Sequence, residues 1–392
     1  MSKHEFSISG DKTTLLHIGD VHLGNKQYSS EKRKKDYISV FKESIDIAIQ
    51  ENVDAVFHTG DLFDSPNPDI EEITVCVEEI QKLKENDIPF LSIVGNHERK
   101  WNSQWMDLFS KEENTYRLGK EPVLIGDVAL FGIDSLRENE WANIENFKLP
   151  TVDDSYTTVL CMHELLSPLV RDDIATCSVS DVLDKLSFVP DILALGDSHT
   201  PNSETIDDCY VYYSGAVEKT SVTDSNNHHV IKLTVENNNF ETKDIPISNN
   251  RPFKEITLEL TEDSTMEYIE NQLEKNSLTS YKPTEKHPVC VLYLEGDKPE
   301  TVSLTDIKKL ALDMGAEIVN SIDKTETEFD LGEGSTEVTD TNSLSKNIAD
   351  RMENVELTET SEHIRDLIES DDEISNIDEQ TNEIITGDEN EN

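Results

Sequence analysis

The sequence predicts an α/β fold, on three observations. Short apolar runs recur along residues 13–250. Stretches of helical period separate the first of them. Five of the runs end in Gly, Asp, His or Asn, the position at which open α/β sheets present ligands. In order, "TLLHIGD" (14–20) reads as a buried strand. A helix follows over about 30–51, with Tyr37, Phe41, Ile45 and Ala48 on one face and Ser29 or Ser30 as its cap. "AVFHTGD" (55–61) is the next strand, a helix over about 69–86 comes after it, and "PFLSIVGNH" (89–97) follows. "TTVLCMHE" (157–164) and "DILALGDSH" (191–199) complete the five. "PVLIGDVALFGIDSL" (122–136) and "CYVYYSGAV" (209–217) read as strands without such ends.

"ISNNRP" (247–252) is polar, turn-rich and closed by Pro, so it reads as a boundary. Beyond it, "FKEITLEL", a helix near 264–275, "PVCVLYLEG", a helix near 302–314 and "AEIVNSI" make a small second α/β unit, residues 251–324. Residues 325–392 carry 22 acids against 3 bases, with no aromatic residue beyond Phe329. Such a tail buries little surface and is expected to be disordered. Its exception is "SEHIRDLIES" (361–370), where Ile364, Leu367 and Ile368 could line a short partner-binding helix.

The whole chain holds 82 acids against 34 bases, net −48. Residues 1–324 alone hold 60 against 31, so the patterned part is acidic too. Self-repulsion of that size strains a compact state in dilute buffer. At about 1 M salt the screening length falls to about 3 Å and the strain largely vanishes. A halophile's cytoplasmic protein is the expectation. The start has no signal-peptide core and no run approaches a membrane span. Five Cys without CxxC spacing argue against a zinc knuckle or a disulfide frame.

The strand ends deliver Asp20 and His22, Asp61, Asn96 and His97, His163, and Asp197 and His199, with linking glycines at 19, 60, 95 and 196. Singly, each has a packing or capping explanation. Five strands sending such residues to one edge point to a metal site. Without thiolates, a closed structural zinc site is disfavoured. Carboxylate, imidazole and amide together suit Mn²⁺, with Mg²⁺, Fe²⁺ or Zn²⁺ as alternatives. A carboxylate can bridge two ions about 3.5–4 Å apart, the arrangement of phosphoester hydrolysis. His97 follows Asn96 on a tight loop, where neighbouring side chains diverge. With Asn96 toward a metal, His97 can face the phosphate and protonate the leaving oxygen.

"GDVH", "GDLFD", "GNHE", the His of "MHE" and "GDSH" resemble the calcineurin-like metallophosphoesterase pattern. Within it, "DVHLGNKQY…VDAVFHTGDLFDS…IPFLSIVGNHER" is similar to the nuclease subunit of the DNA double-strand-break repair complex, the meiotic-recombination-eleven family, SbcD in bacteria. The resemblance covers residues 13–220, weakens over 251–325 and is absent from the tail. It implies a four-layer sandwich of two mixed β-sheets flanked by helices over residues 1–250, with residues 251–324 as a capping or DNA-binding unit. It implies two ions per subunit. Asp20, His22, Asp61 and His199 would hold one; Asp61, Asn96 and His163 would hold the other. The family's remaining ligand is a His in a Gly-His-x-His turn. Here Asp197 stands there, a carboxylate that still suits Mn²⁺ but adds negative charge.

The resemblance further implies action on double-stranded DNA ends as an exo- and endonuclease, a coiled-coil ATPase partner of the Rad-fifty type, and a homodimer with helices from 30–51 and 69–86. The stripe at 364–368 is a candidate ATPase-docking segment. A net charge of −48 sits awkwardly with DNA, since phosphate contacts come from Lys and Arg. The dense basic run Lys32, Arg33, Lys34 and Lys35, together with Arg99 and Lys100, is the candidate DNA path. Tyr28, Trp101 and Trp105 could contact sugars or bases, or pack in the core. Two other readings stand beside the nuclease: a phosphodiesterase acting on a small substrate, and a catalytically weakened scaffold that tethers DNA ends.

Overall fold

A computed structural model describes residues 5–325, except 9, 145, 225, 277, 279–285 and 300. The acidic tail from 326 onward, with its stripe at 361–370, lies outside the described residues. Two sheets stack face to face. The first has six strands in the order Asn239–Pro246, His229–Glu236, Thr13–Ile18, Ala55–His58, Phe90–Ser92 and Thr115–Arg117. The second has seven, in the order Glu5–Phe6, Val123–Ile125, Val128–Ile133, Thr157–His163, Ile192–Gly196, Cys209–Tyr213 and Asn202–Ile206. Leu15, Phe57 and Leu91 of one sheet pack on Val159, Cys161 and Ile192 of the other. Helices α1 (Glu31–Gln50) and α2 (Ile70–Lys84) cover the outer face of the first sheet. The helix Val179–Lys185 packs against the second. The result is the expected four-layer α/β sandwich.

Each helix begins where its local chemistry allows. The Ser30 hydroxyl accepts from the Lys32 amide and caps α1. Tyr37, Phe41, Ile45 and Ala48 are fully buried along one stripe of that helix. Asp69 and Glu72 form a capping box at the start of α2. The sequence reading missed the hairpin His229–Glu236/Asn239–Pro246, which pairs antiparallel with Thr13–Ile18. Its signal was present: Asn237 and Asn238 both take positive φ, 52° and 59°, as a type I′ turn requires.

Residues 253–323 form three parallel strands, Phe253–Leu260, Val289–Gly296 and Ile318–Asp323, crossed by helices Met266–Lys275 and Leu304–Asp313. They enclose their own core of Ile256, Leu258, Leu273, Leu292 and Ile307. Among the described residues no helix is long and apolar enough to cross a membrane.

Two histidines are sealed within the sandwich. His17 bonds Tyr212 and Thr59, and His58 bonds Ser92. Burial, reinforced by His163, pushes His58 down to about 3, and burial holds His17 well below its ordinary 6.5. The unfolded chain takes up protons below pH 6.5 that the folded chain refuses. Stability is therefore full above pH 6.5 and drains away as pH falls toward 3. The expected loss from His58 is about 2 kcal/mol at pH 5, and His17 adds to it in the same direction. Urea midpoints across this range should fall for the wild type and fall less for His58→Gln; parallel profiles would remove His58 from the account.

Candidate metal centre

Register brings the site together. Ile18 pairs with His58 and His58 with Ser92 in one sheet, while His163 pairs with Gly196 in the other. The loops that follow these strands therefore leave from one edge. Backbone bonds lash them together: the amides of Val21 and His22 donate to the Asp61 carbonyl at 3.0 and 2.9 Å, and that of Val217 to the Asp20 carbonyl at 3.1 Å. The His97 amide donates to Asp61 Oδ1 at 3.0 Å. Two glycines permit this closeness. A Cβ on Gly95 would sit 2.1 Å from Asp61 Oδ1, and one on Gly60 would sit 2.7 Å from His163 Nδ1. His22, Asp61 and Asp197 all hold positive φ, 52°, 58° and 82°. Such strain at non-glycine residues persists only where the surroundings impose it.

Two sets of atoms converge. In the first, His22 Nε2 lies 3.1 Å from His199 Nε2 and 3.7 Å from Asp61 Oδ2, and His199 Nε2 lies 3.9 Å from Asp20 Oδ2. In the second, His163 Nε2 lies 3.4 Å from Asp61 Oδ2, 3.3 Å from Asn96 Oδ1 and 3.7 Å from Asp197 Oδ1. The same oxygen, Asp61 Oδ2, faces both sets. Ligands held about 2.1 Å from one divalent ion stand roughly 3.0–3.5 Å apart, so both sets have the right scale.

Proton positions test the fit further. His163 Nδ1 donates to the Thr59 carbonyl at 2.7 Å. His199 Nδ1 faces the Thr220 hydroxyl and, at 3.5 Å, the Asp224 carboxylate. His22 Nδ1 lies 3.2 Å from Asp64 Oδ1. His163 Nδ1 and His199 Nδ1 thus each have an oxygen to hold a proton, which leaves their Nε2 atoms as lone pairs, while the buried His22 Nδ1 makes no hydrogen bond among the described residues. Lone pairs then face lone pairs and carboxylates across about 3–4 Å, an arrangement that a cation satisfies and a neutral core does not. Electrostatics agree. Burial pushes His163 down, but Asp61, Asp20 and Asp197 outweigh it and raise its proton affinity well above the ordinary value. Burial pushes Asp61 up, and His163, His22 and His97 override it to hold the carboxyl below its usual range.

All seven residues expected as ligands lie in this cluster. Asp20, His22, Asp61 and His163 are buried, whereas Asn96 is exposed, so the cluster opens on one side. His97 stands at that opening. Its ring meets His22 edge-on at 4.7 Å, and its Nδ1 lies 3.3 Å from the Asp64 carbonyl. The sequence reading missed the partners that orient the ligands: Asp64, Thr220, Asp224 and Glu98. Glu98 accepts from the amides of Gly95 and Phe63, both at 3.1 Å, and joins two of the loops. Burial, with Asp61 adding to it, lifts Glu98 to about 7.

The expected DNA path needs correction. Arg33 is fully buried, paired with Asp36 at 3.0 Å and Glu218 at 3.3 Å. Lys34 is buried against Glu71 and Glu72. Neither can reach a phosphate, because their charges are spent inside the fold. Arg99 is tied to the Ser135 carbonyl and Glu140, and exposed Lys32 pairs with Glu317. Lys35 is exposed, and Lys100 is half-buried over the Trp105 ring at 4.7 Å. Trp105 packs on Phe63 and Phe109, a core contact.

The profile of the calcineurin-like phosphoesterase family matches residues 13–232. The DNA double-strand break repair protein Mre11 of Methanosarcina mazei is 33% identical over 312 residues, covering 78% of this chain and 49% of its own length. Those of Haloferax volcanii and Halobacterium salinarum are 29% identical, covering 83% of this chain in each case and 71% and 80% of theirs. The chain therefore spans about half the length of the first of these relatives. The family match takes in every loop that delivers a side chain to the cluster, from Asp20 to His199, and the chain belongs to the calcineurin-like phosphoesterases, enzymes that depend on divalent metal ions.

Proposed function

We propose that this chain is a DNA double-strand-break repair nuclease subunit that hydrolyses phosphodiesters at broken ends with two divalent ions, Mn²⁺ before Mg²⁺, Fe²⁺ or Zn²⁺. The observation that carries the reading is Asp61 Oδ2, placed to be shared between two ligand sets. Asp20, His22, Asp61 and His199 would hold one ion; Asp61, Asn96, His163 and Asp197 would hold the other. Asp197 Oδ1, at 3.7 Å from His163 Nε2, supports its role as the carboxylate ligand where the family carries His. When bound, such a pair supplies positive charge to the phosphate and acidifies the attacking water. The names of the relatives support DNA as substrate. The Haloferax and Halobacterium relatives, with the acidic composition, support a protein adapted to high salt.

The role we give His97 is proton donation to the leaving oxygen. Its Nδ1–H donates to the Asp64 carbonyl, so the proton delivered from Nε2 is the second proton of the imidazolium form. His97→Asn should lower kcat on DNA by about a hundred- to ten-thousand-fold. Turnover of bis(p-nitrophenyl) phosphate should fall far less, since p-nitrophenolate leaves without a proton. Equal losses on both substrates would reject the donor role.

We further propose a homodimer, a coiled-coil ATPase partner of the Rad-fifty type, and action on cytoplasmic, nucleoid-associated DNA. The test is cleavage of linear duplex DNA with Mn²⁺ in molar KCl, with and without the ATPase, beside bis(p-nitrophenyl) phosphate. DNA cleavage lost on chelation supports the reading. Ester turnover without DNA cleavage would make this a small-substrate phosphodiesterase. Bound metal without any turnover would make it a scaffold.

A further inference from the structure

Trp101 is 84% exposed, the most exposed of the large hydrophobic side chains among the described residues. One such residue on a surface needs no explanation by itself. Three features set this one apart. It lies four residues beyond His97, so the chain between them spans at most about 14 Å, or about four stacked nucleotides. The Arg137 guanidinium lies over its ring, 5.5 Å from the centroid. It also borders a cleft of about 610 Å³ whose lining includes Arg99, Lys100, Arg117 and Lys120 but only two acids, Asp107 and Asp134. Both acids pair with Arg117 and Arg99 pairs with Glu140, so Lys100 and Lys120 carry the cleft's uncompensated charge among the described residues. In a chain with 82 acids against 34 bases, this balance is local and inverted.

We propose that Trp101 is a stacking platform for an unpaired nucleobase of the strand undergoing hydrolysis, with the adjoining phosphates directed toward Arg137 and Lys120. The proposal rests on the nuclease reading and deepens it: the site would grip single-stranded or frayed DNA beside the reacting phosphate. The physical reason is salt. At the molar salt implied by the composition, screening operates within about 3 Å and lysine–phosphate contacts lose most of their value. Stacking of a base on an indole is apolar and survives these conditions, contributing on the scale of a tenfold change or more per base. Stacking thus gives a strongly acidic nuclease a substrate contact that salt weakens little. Arg137 fixes the ring from one side and leaves the other open to a base.

The experiment measures binding of a fluorescein-labelled oligothymidylate and of a blunt hairpin duplex to the full chain in EDTA, at about 0.5 and about 2 M KCl. Melting temperature serves as the check that each variant is folded. Trp101→Ala should bind oligothymidylate about tenfold or more weakly at both salts, with little change on the blunt duplex, and Trp101→Phe should recover most of the loss. Wild-type affinity in Trp101→Ala overturns the proposal. A loss that disappears at the higher salt, or that Phe does not recover, also overturns it, because the contact is then not stacking. Cleavage of duplex DNA by the wild type with Mn²⁺ reports separately on the nuclease reading. Intact cleavage with unaltered Trp101→Ala binding sinks the platform alone.

Discussion

Asp61→Asn is expected to strip the protein of bound manganese and to lower kcat by about three to five orders of magnitude, several kcal/mol of barrier. The change replaces the one oxygen that faces both His22 Nε2 and His163 Nε2, at 3.7 and 3.4 Å. An amide group there donates hydrogen bonds to the two lone pairs and fills the role of a cation. Folding should survive. Asn retains an oxygen for the His97 amide, the backbone carbonyl keeps its bonds from Val21 and His22, and Asn tolerates the 58° φ. Metal content by inductively coupled plasma mass spectrometry and turnover at saturating Mn²⁺ check the expectation. A variant that keeps its metal and stays within tenfold of wild-type activity would remove Asp61 from the centre of the site.

The largest stability effect should come from Arg33→Met. The guanidinium donates to Asp36, to the Lys219 carbonyl at 2.8 Å and to Gln27 Oε1 at 2.9 Å, between the rings of Tyr37 and Phe253. Phe253 belongs to the small unit, as do Lys286 and the nearby Arg251, both of which bond Asp36. Removing one buried partner leaves Glu218 and Asp36 undercompensated, at a cost of about 3–5 kcal/mol. Arg33→Lys should recover little, because an ammonium lacks the planar fork. Lys35→Ala, two positions along the same run but exposed, should stay within about 0.5 kcal/mol. Urea titrations of the three variants measure this, and equal effects at 33 and 35 would contradict the burial argument. Burial shields such pairs from salt, so the contrast should persist in molar KCl.

The basic run shows where reading the chain linearly misleads. "EKRKKD" is dense in positive charge, and charge runs normally face solvent. Two of its four bases instead point inward, because acids distant in sequence, Glu218 from one side and Glu72 from the other, wait beneath the start of α1. The hairpin at 229–246 was legible in its Asn-Asn turn and its alternation, yet its place beside Thr13–Ile18 depended on pairing across more than 200 residues. Asp64 sat inside a quoted motif without a role, since its contact with His22 Nδ1 crosses from one loop to another.

The chain alone determined its alternation of strands and helices and its set of candidate ligands. Apolar runs of strand length, interrupted at helical period and closed by Gly with Asp, His or Asn, set the α/β architecture and named all seven candidate ligands, because both follow from local periodicity and side-chain type. Tertiary structure alone decided which oxygens face the Nδ1 atoms of His163 and His199, which carboxylate oxygen two ligand sets share, and which bases are buried. Those depend on distances of 3–4 Å between residues far apart in sequence, from about forty positions for His22 and Asp61 to 177 for His22 and His199, and no local pattern encodes them.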